Sequence, residues 1–416
     1  MGLTCVLICL WGAWMMAGAG LSRLFSDDSR NVSSDISAAD PDLLSRAEIA
    51  VRLAPADPEA HRTRAIALSA LGQTADALPD YERACSLRPQ DYLLWTDLGY
   101  TRDTLNDVEG ALTAYREAIR LAPYYAQPRY YLGALLLRTG QRDEGFAELN
   151  RATTSDLKLI NSKIRLAWNV YEGDVAVIER VVQPQTDAER LLLARFLVKQ
   201  GKSDDAMRLF RSAGGLTQED RNDLLKDLLA AKNYAKAYEV WKEDRAGNSS
   251  QMGNAISDAG FESGEDFSDA GFSWRKVGNE PNVQLSLDRS DPREGKRSLR
   301  FDFKGEIKPG TSLISQLVLV APGTRYRLNF AARTQELVSG GLPLIAVFEA
   351  GAKDKSLAQS KPLPQGTNGW QNLTLEFAAP SGAQAVNIAL QREGCKSRTC
   401  PMFGRLWLDN FSLEKL

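Results

Sequence analysis

Apolar and polar positions along the chain follow three rhythms. From Gly2 to Ser22 no side chain is charged, and the run GLTCVLICLWGAWMMAGAGLS is mostly apolar. Coiled as a helix, a stretch of this length spans roughly the 30 Å of a bilayer's hydrocarbon core. Polar residues follow at once in Ser26, Asp27 and Asp28, and 24–40 is rich in Ser and Asp, as in a short tether. From 41 to 246 apolar residues return at the three-and-four spacing of amphipathic helices. At DRAGNSSQMGNAI (244–256) that period stops. Beyond it come eight short alternating or β-branched runs: 283–287, 297–303, 312–320, 326–332, 342–350, 372–379, 385–391 and 405–413. This density of strands predicts an antiparallel β-sandwich.

The helical stretch also repeats itself every 34 residues over 58–159. Small residues recur in register at Ala65, Gly99 and Gly133, at Ala77, Ala111 and Gly145, and at Ala84, Ala118 and Ala152. A larger residue recurs at Tyr81, Tyr115 and Leu149, and a proline closes two units at Pro89 and Pro123. Two antiparallel helices approach closely only where side chains are small. The bulky residue then fills the space toward the next pair, and proline ends the second helix. Pro55, 34 residues before Pro89, closes an incomplete leading unit. Downstream the register drifts through Leu193, Ala194, Gly201, Ala206, Phe210, Ala213, Ala237 and Trp241.

This pattern resembles the tetratricopeptide repeat, with the second unit matching at Trp95, Leu98, Gly99, Ala111, Tyr115, Ala118 and Pro123 and departing at Arg102. The resemblance implies an α-α superhelix whose concave groove binds a peptide or protein partner. Residues of the first helix of each unit would face that groove, among them Arg62, Tyr100, Tyr130 and Arg138. Ile66 and Tyr100 stand where a carboxylate clamp would need Asn, which argues against such a clamp. The run YYAQPRYY (124–131) adds a tyrosine-rich surface.

In the β half, Phe261, Glu262, Trp274, Gly295, Leu299, Pro322, Gly323, Tyr326, Trp370, Phe377 and Asp409 stand in an order similar to that of CenC-type carbohydrate-binding modules, within the galactose-binding-like jelly-roll class. The spacing from Asn254 to Phe261 is longer than in that family. The resemblance implies a structural calcium ion on Glu262 and Asp409, no other cofactor being required. It also implies sugar contact through exposed aromatic rings, for which Tyr326 and Trp407 are the candidates beside the more core-like Trp274 and Trp370.

Composition narrows the chemistry. A net charge of −2 gives no general attraction to nucleic acid. One histidine, His61, cannot build a multi-histidine metal site and leaves little room for histidine-dependent catalysis. No G-x-S-x-G, Walker, H-E-x-x-H or dinucleotide motif occurs, so a non-enzymatic protein is expected. Cys395 and Cys400, five apart in a turn-like stretch, read best as a local disulfide, which requires an oxidising compartment; free thiols are the alternative in a cytosolic domain. Cys85 reads as a small buried residue.

The expected organisation is therefore an apolar anchor or signal at 1–23 and a tether at 24–40. A helical solenoid at 41–246, a linker at 247–253 and a β-sandwich at 254–416 follow. Ala17, Gly18 and Ala19 would suit a cleavage site, but no basic region precedes the apolar run, which favours a retained anchor. The expected function is a membrane-anchored, extracytoplasmic scaffold, periplasmic or at the cell surface. Its groove would hold a protein and its sandwich would contact glycan or protein, as in polysaccharide assembly or export. The alternative is a lectin-like protein whose helices are a spacer.

Overall fold

The computed structural model describes residues 41–243, 256–263, 267–268, 271–352, 356–395 and 400–416. The apolar segment, the tether and the linker expected from the sequence lie outside them. Among the described residues no helix is long and apolar enough to cross a membrane. The chain divides into two compact units, with the boundary in sequence between Gln185 and Thr186.

The first unit is an array of antiparallel helices: α1 (Pro41–Leu53), α2 (Pro58–Ala70), α3 (Thr74–Leu87), α4 (Tyr92–Thr104), α5 (Val108–Leu121), α6 (Ala126–Arg138), α7 (Arg142–Ser155), α8 (Ile160–Val170) and α9 (Val175–Val182). Local signals recur with the repeat. Asp57 and Asp91, 34 residues apart, cap α2 and α4 by accepting the N–H groups of Glu59 and Leu93. The hairpin turns need a left-handed residue at the same register, supplied by Gly72, Asn106 and Gly140 with φ of 76°, 63° and 86°. Asparagine is among the few side chains that enter this region readily.

The recurrent small residues mark the helix contacts. Ala65, Ala77, Ala84, Ala111, Ala118 and Ala152 are fully buried. A Cβ placed on Gly99 would lie 2.6 Å from the Tyr115 ring, and one on Gly133 would lie 2.8 Å from the backbone oxygen of Gly145. The bulky partners Tyr81, Tyr115 and Leu149 are likewise buried. Alanine and glycine are thus needed at these positions for the helices to come together.

The second unit begins with two further hairpins, α10 (Asp187–Lys199) with α11 (Ser203–Ser212) and α12 (Gln218–Ala230) with α13 (Tyr234–Glu243). Thr217 and Asp220 form a reciprocal capping box at α12. The sandwich follows, with strands β1 (Arg275–Lys276), β2 (Val283–Asp288), β3 (Ser298–Glu306), β4 (Ser312–Leu319), β5 (Arg325–Ser339), β6 (Pro343–Glu349), β7 (Ser356–Gln359), β8 (Gly366–Ala378), β9 (Ala385–Arg392) and β10 (Pro401–Lys415). All eight expected runs are strands; β1 and β7 are additional.

The strands form two five-stranded antiparallel sheets, in the orders β1-β4-β9-β6-β7 and β2-β3-β10-β5-β8. Inward residues such as Leu299, Phe301, Leu328, Phe330, Ile388, Leu406 and Phe411 make one continuous core between them. Trp274 and Phe261 belong to that core, their rings 5.5 Å apart.

The last helical hairpin packs on this sandwich. Tyr234 of α13 and Leu229 of α12 cluster with Ala350, Ala385, Leu317 and Leu319 of the first sheet. The Trp241 ring lies tilted against that of Phe272 at 5.7 Å, and Gly271 lies so close to the indole that no Cβ would fit. One end of the first sheet's outer face is thereby sealed by helix.

Candidate functional site

The four residues expected in the helical groove differ in what they offer. Arg62 donates to Asp97 at 2.8 Å, and Arg138 is paired with Asp103. Both bonds join the first helix of one unit to that of the next, so these guanidiniums staple neighbouring units. Tyr100 is 56% exposed, its ring 5.5 Å from that of Tyr131, which Tyr130 meets edge-on at 5.9 Å. Tyr124 and Tyr125 are exposed as well, with Tyr125 against Tyr92 at 4.5 Å. A tyrosine surface is therefore present, with its rings already in mutual contact. His61 is buried between Asp80 (2.7 Å) and the carbonyl of Pro55 (3.1 Å), while Asp80 also takes two bonds from Arg64. That is a packing role.

In the sandwich, the two aromatic residues expected to meet sugar are not exposed. Tyr326 is buried against Phe377, its hydroxyl accepting the Ala321 N–H. Trp407 is only 3% exposed, although strand alternation points it to the outer face of the second sheet. The cause is the β2–β3 connection, residues 289–297, which folds across that face as a strap. The Trp407 indole N–H donates to Asp288 at the root of the strap (2.7 Å), and Arg333 covers the ring at 4.0 Å. Arg333 in turn pairs with Asp291, whose carbonyl accepts the indole N–H of Trp370. Neither Tyr326 nor Trp407 offers a free ring face, so the sugar-platform expectation for both is corrected. The indole and guanidinium faces are taken by each other.

The structure does bring Glu262 and Asp409 together: both lie within 4 Å of the Cβ position of Gly260. Their oxygens face donors. Asp409, fully buried on β10, accepts the N–H groups of Arg293 (2.8 Å), Glu294 (3.3 Å) and Asn410 (2.8 Å). Glu262 accepts those of Lys296 and Arg297, presented by the left-handed turn at Gly295. Burial and the nearby Glu262 push the Asp409 carboxyl above its usual range, against the pull of the three N–H bonds. Among the described residues no group of three or more acidic, histidine or cysteine side chains converges as a cation site. The two carboxylates anchor the strap.

Cys395 and Cys400 are disulfide-bonded. Beside them Arg392, 1% exposed, donates to the carbonyls of Gly341, Ile307 and Cys400 and to the hydroxyl of Ser339. Burial lowers its pKa. Sequence pattern did not single out this arginine, because a polar residue at a strand end looks solvent-facing. It also missed Phe403, 50% exposed at the far end of the second sheet's outer face. By register Phe403 stands between Lys304 and Val338, one row from Asp302, Arg405 and Gln335. A cavity of about 240 Å³ opens there, lined among others by Asp302, Lys304, Gln335, Glu336 and Arg405.

Two family models for the tetratricopeptide repeat match the chain, over residues 58–101 and 92–125. Residues 58–125 are tetratricopeptide repeats. Among curated proteins, the chain is similar to the peroxisomal targeting signal receptor of Candida albicans, 37% identical over 60 residues, which is 14% of this chain and 10% of that protein. It is also similar to the BBSome complex member bbs-4 of Caenorhabditis elegans, 36% identical over 67 residues, 16% of this chain and 14% of that protein. The match thus spans a small fraction of either relative. Among solved structures, MamA from Desulfovibrio magneticus RS-1 aligns with 48% of this chain and 94% of its own, at 19% identity and a TM-score of 0.32. TmCBM61, solved with β-1,4-galactotriose, aligns with 39% of this chain and 99% of its own, at 21% identity and a TM-score of 0.27.

Proposed function

We propose that this protein is a non-enzymatic scaffold whose repeat array holds a protein partner and whose sandwich contacts glycan. The exposed tyrosine surface around Tyr100 carries the first half of this reading: Tyr offers apolar area and a hydroxyl at low entropic cost, the usual makings of a protein contact. A photo-crosslinking residue at Tyr100 should capture a discrete partner in cells, while the same residue at the exposed Arg116 should not. Equal labelling from both positions would sink the groove as a docking site.

The second half rests on Phe403 and its polar neighbours. With one end of the first sheet's outer face covered by α12 and α13, and with Trp407 and Trp370 engaged by the strap, Phe403 is an open ring on the second sheet that a pyranose could stack on. The surrounding amide, carboxylate and guanidinium groups could meet its hydroxyls. Phe403→Ala in the full chain should weaken retention on immobilised polysaccharide by at least about tenfold, the loss of roughly 1.4 kcal/mol. Unchanged retention would exclude this face. The alternative, a lectin-like protein with the helices as spacer, predicts the polysaccharide result without the Tyr100 cross-link.

Tethering at a membrane through residues 1–23, with the bulk of the chain outside the cytoplasm and a role in polysaccharide assembly or export, belongs to the same proposal. A C-terminal phosphatase fusion tests the topology, activity being expected only if the sandwich is exported. Structural calcium at Glu262 and Asp409 would compete with five N–H donors. Chelation should therefore leave the melting midpoint in place, while Asp409→Asn lowers it. A midpoint that falls on chelation would support a calcium ion at Glu262 and Asp409 instead.

A further inference from the structure

The four strands at the sheet edges are unequal. β1, β7 and β2 have two, four and six residues, whereas β8 has thirteen, GTNGWQNLTLEFA. No described strand pairs with its outer side. Native proteins blunt long edges with charge, proline or bulges, because unpaired N–H and C=O groups template association. β8 has no proline and one charged residue, Glu376, which is neutralised by Arg327 at 2.8 Å and Arg325 at 3.3 Å. The register shifts against β5 fall between Ala332 and Leu337. From Arg325↔Ala378 to Ala332↔Gln371 the pairing runs without interruption.

The parity of this pairing fixes which groups are free. The Ala379 N–H donates to Thr324 O at 2.9 Å, so hydrogen-bonded pairs with β5 fall at 377, 375, 373 and 371. The N–H and C=O groups of Asn372, Thr374 and Glu376 therefore point to the open edge. Their side chains are exposed on the outer face, while Leu373 beneath is only partly covered.

We infer that this edge joins a second copy of the chain, antiparallel, with the two-fold axis at Thr374. Such a register sets Thr374 opposite Thr374 and Asn372 opposite Glu376 in both directions, and all three are hydrogen-bonding positions. No like charges meet: the Asn372 amide can donate to the Glu376 carboxylate, and the hydroxyls pair at the axis. On the inner side Leu373 lies opposite Leu375 and loses its remaining exposure. The surface is self-complementary, as an isologous contact requires. The two second sheets become one ten-stranded sheet across the dimer.

Light scattering on the purified full chain tests this, with Thr374→Lys and Thr374→Glu as variants. Both alter an exposed side chain, and circular dichroism should confirm their folding. The wild type should run at twice 45.8 kDa. Each variant alone should show a twofold lower mass, because like charges then face each other at the axis, and an equal mixture of the two should recover the doubled mass. A wild type at monomer mass, as expected if the edge served an extended peptide of another protein, would overturn the inference. So would a dimer that survives in Thr374→Lys, or a mixture that stays monomeric.

Discussion

Trp407 shows how a residue can be assigned to the right strand and face and still be misjudged. Alternation on β10 puts it outside the core, where an indole suggests a ligand platform. Instead it is the post to which the strap is tied, bonded to Asp288 and covered by Arg333. Trp407→Ala should lower stability by about 3–5 kcal/mol, the usual loss for a buried large aromatic, as measured by urea unfolding. A drop confined to glycan retention, with the unfolding midpoint intact, would contradict this. By contrast, Gly99 and Gly133 were readable, because a position that tolerates only the smallest residues recurs at a fixed interval. Trp407 was not readable, because what covers it, Arg333 and the strap rooted at Asp288, lies 74 and more residues earlier and leaves no periodic trace.

The strap behaves as a unit whose anchors respond differently to acid. Burial opposes charge on Asp288, but bonds from the Ser290 N–H and hydroxyl and the Trp407 indole, with Arg300 nearby, hold its carboxyl down to about 2. A carboxyl depressed below its ordinary value near 3.9 contributes stability that is complete above that value and lost as pH falls toward 2. Asp409 has the opposite sign: its pKa is raised, so its ionisation weakens the fold as pH rises through the ordinary carboxylate range. In Asp288→Asn, the decline of the unfolding midpoint between about pH 4 and 2 should be shallower than in wild type. An unchanged slope would mean that Asp288 does not hold the strap. Element lengths were only partly legible: β5, β8 and β10 run well past their apolar runs, because edge register and bulges carry pairing through Gln335, Asn368 and Gly404.

At the scale of the molecule, composition points to 244–256 as the place where one texture ends and another begins. The compact division falls earlier, at Gln185, and α10–α13 belong with the sandwich. Tyr234 on Leu317 and Leu319, and Trp241 against Gly271 and Phe272, make the last hairpin a cover for the first sheet. No sequence period announces such a contact, since each helix already has an apolar face for its own hairpin. A fragment of 186–416 should express as a soluble, cooperatively melting protein. A fragment of 254–416 should aggregate or melt lower, with Leu317, Leu319 and Ala385 uncovered. Equal melting of the two would show that the cover contributes nothing. Within the array, the pairs Arg62–Asp97 and Asp103–Arg138 have equal spacing but opposite polarity. If the unit at 92–125 were duplicated in tandem, Asp97 of the copy would meet Thr96 of the original and Asp103 of the original would meet Thr104 of the copy, so the new junction would have neither pair. Identical in pitch, the units are nonetheless keyed: a junction keeps its ion pair only with its own neighbour, so their order is written in charge.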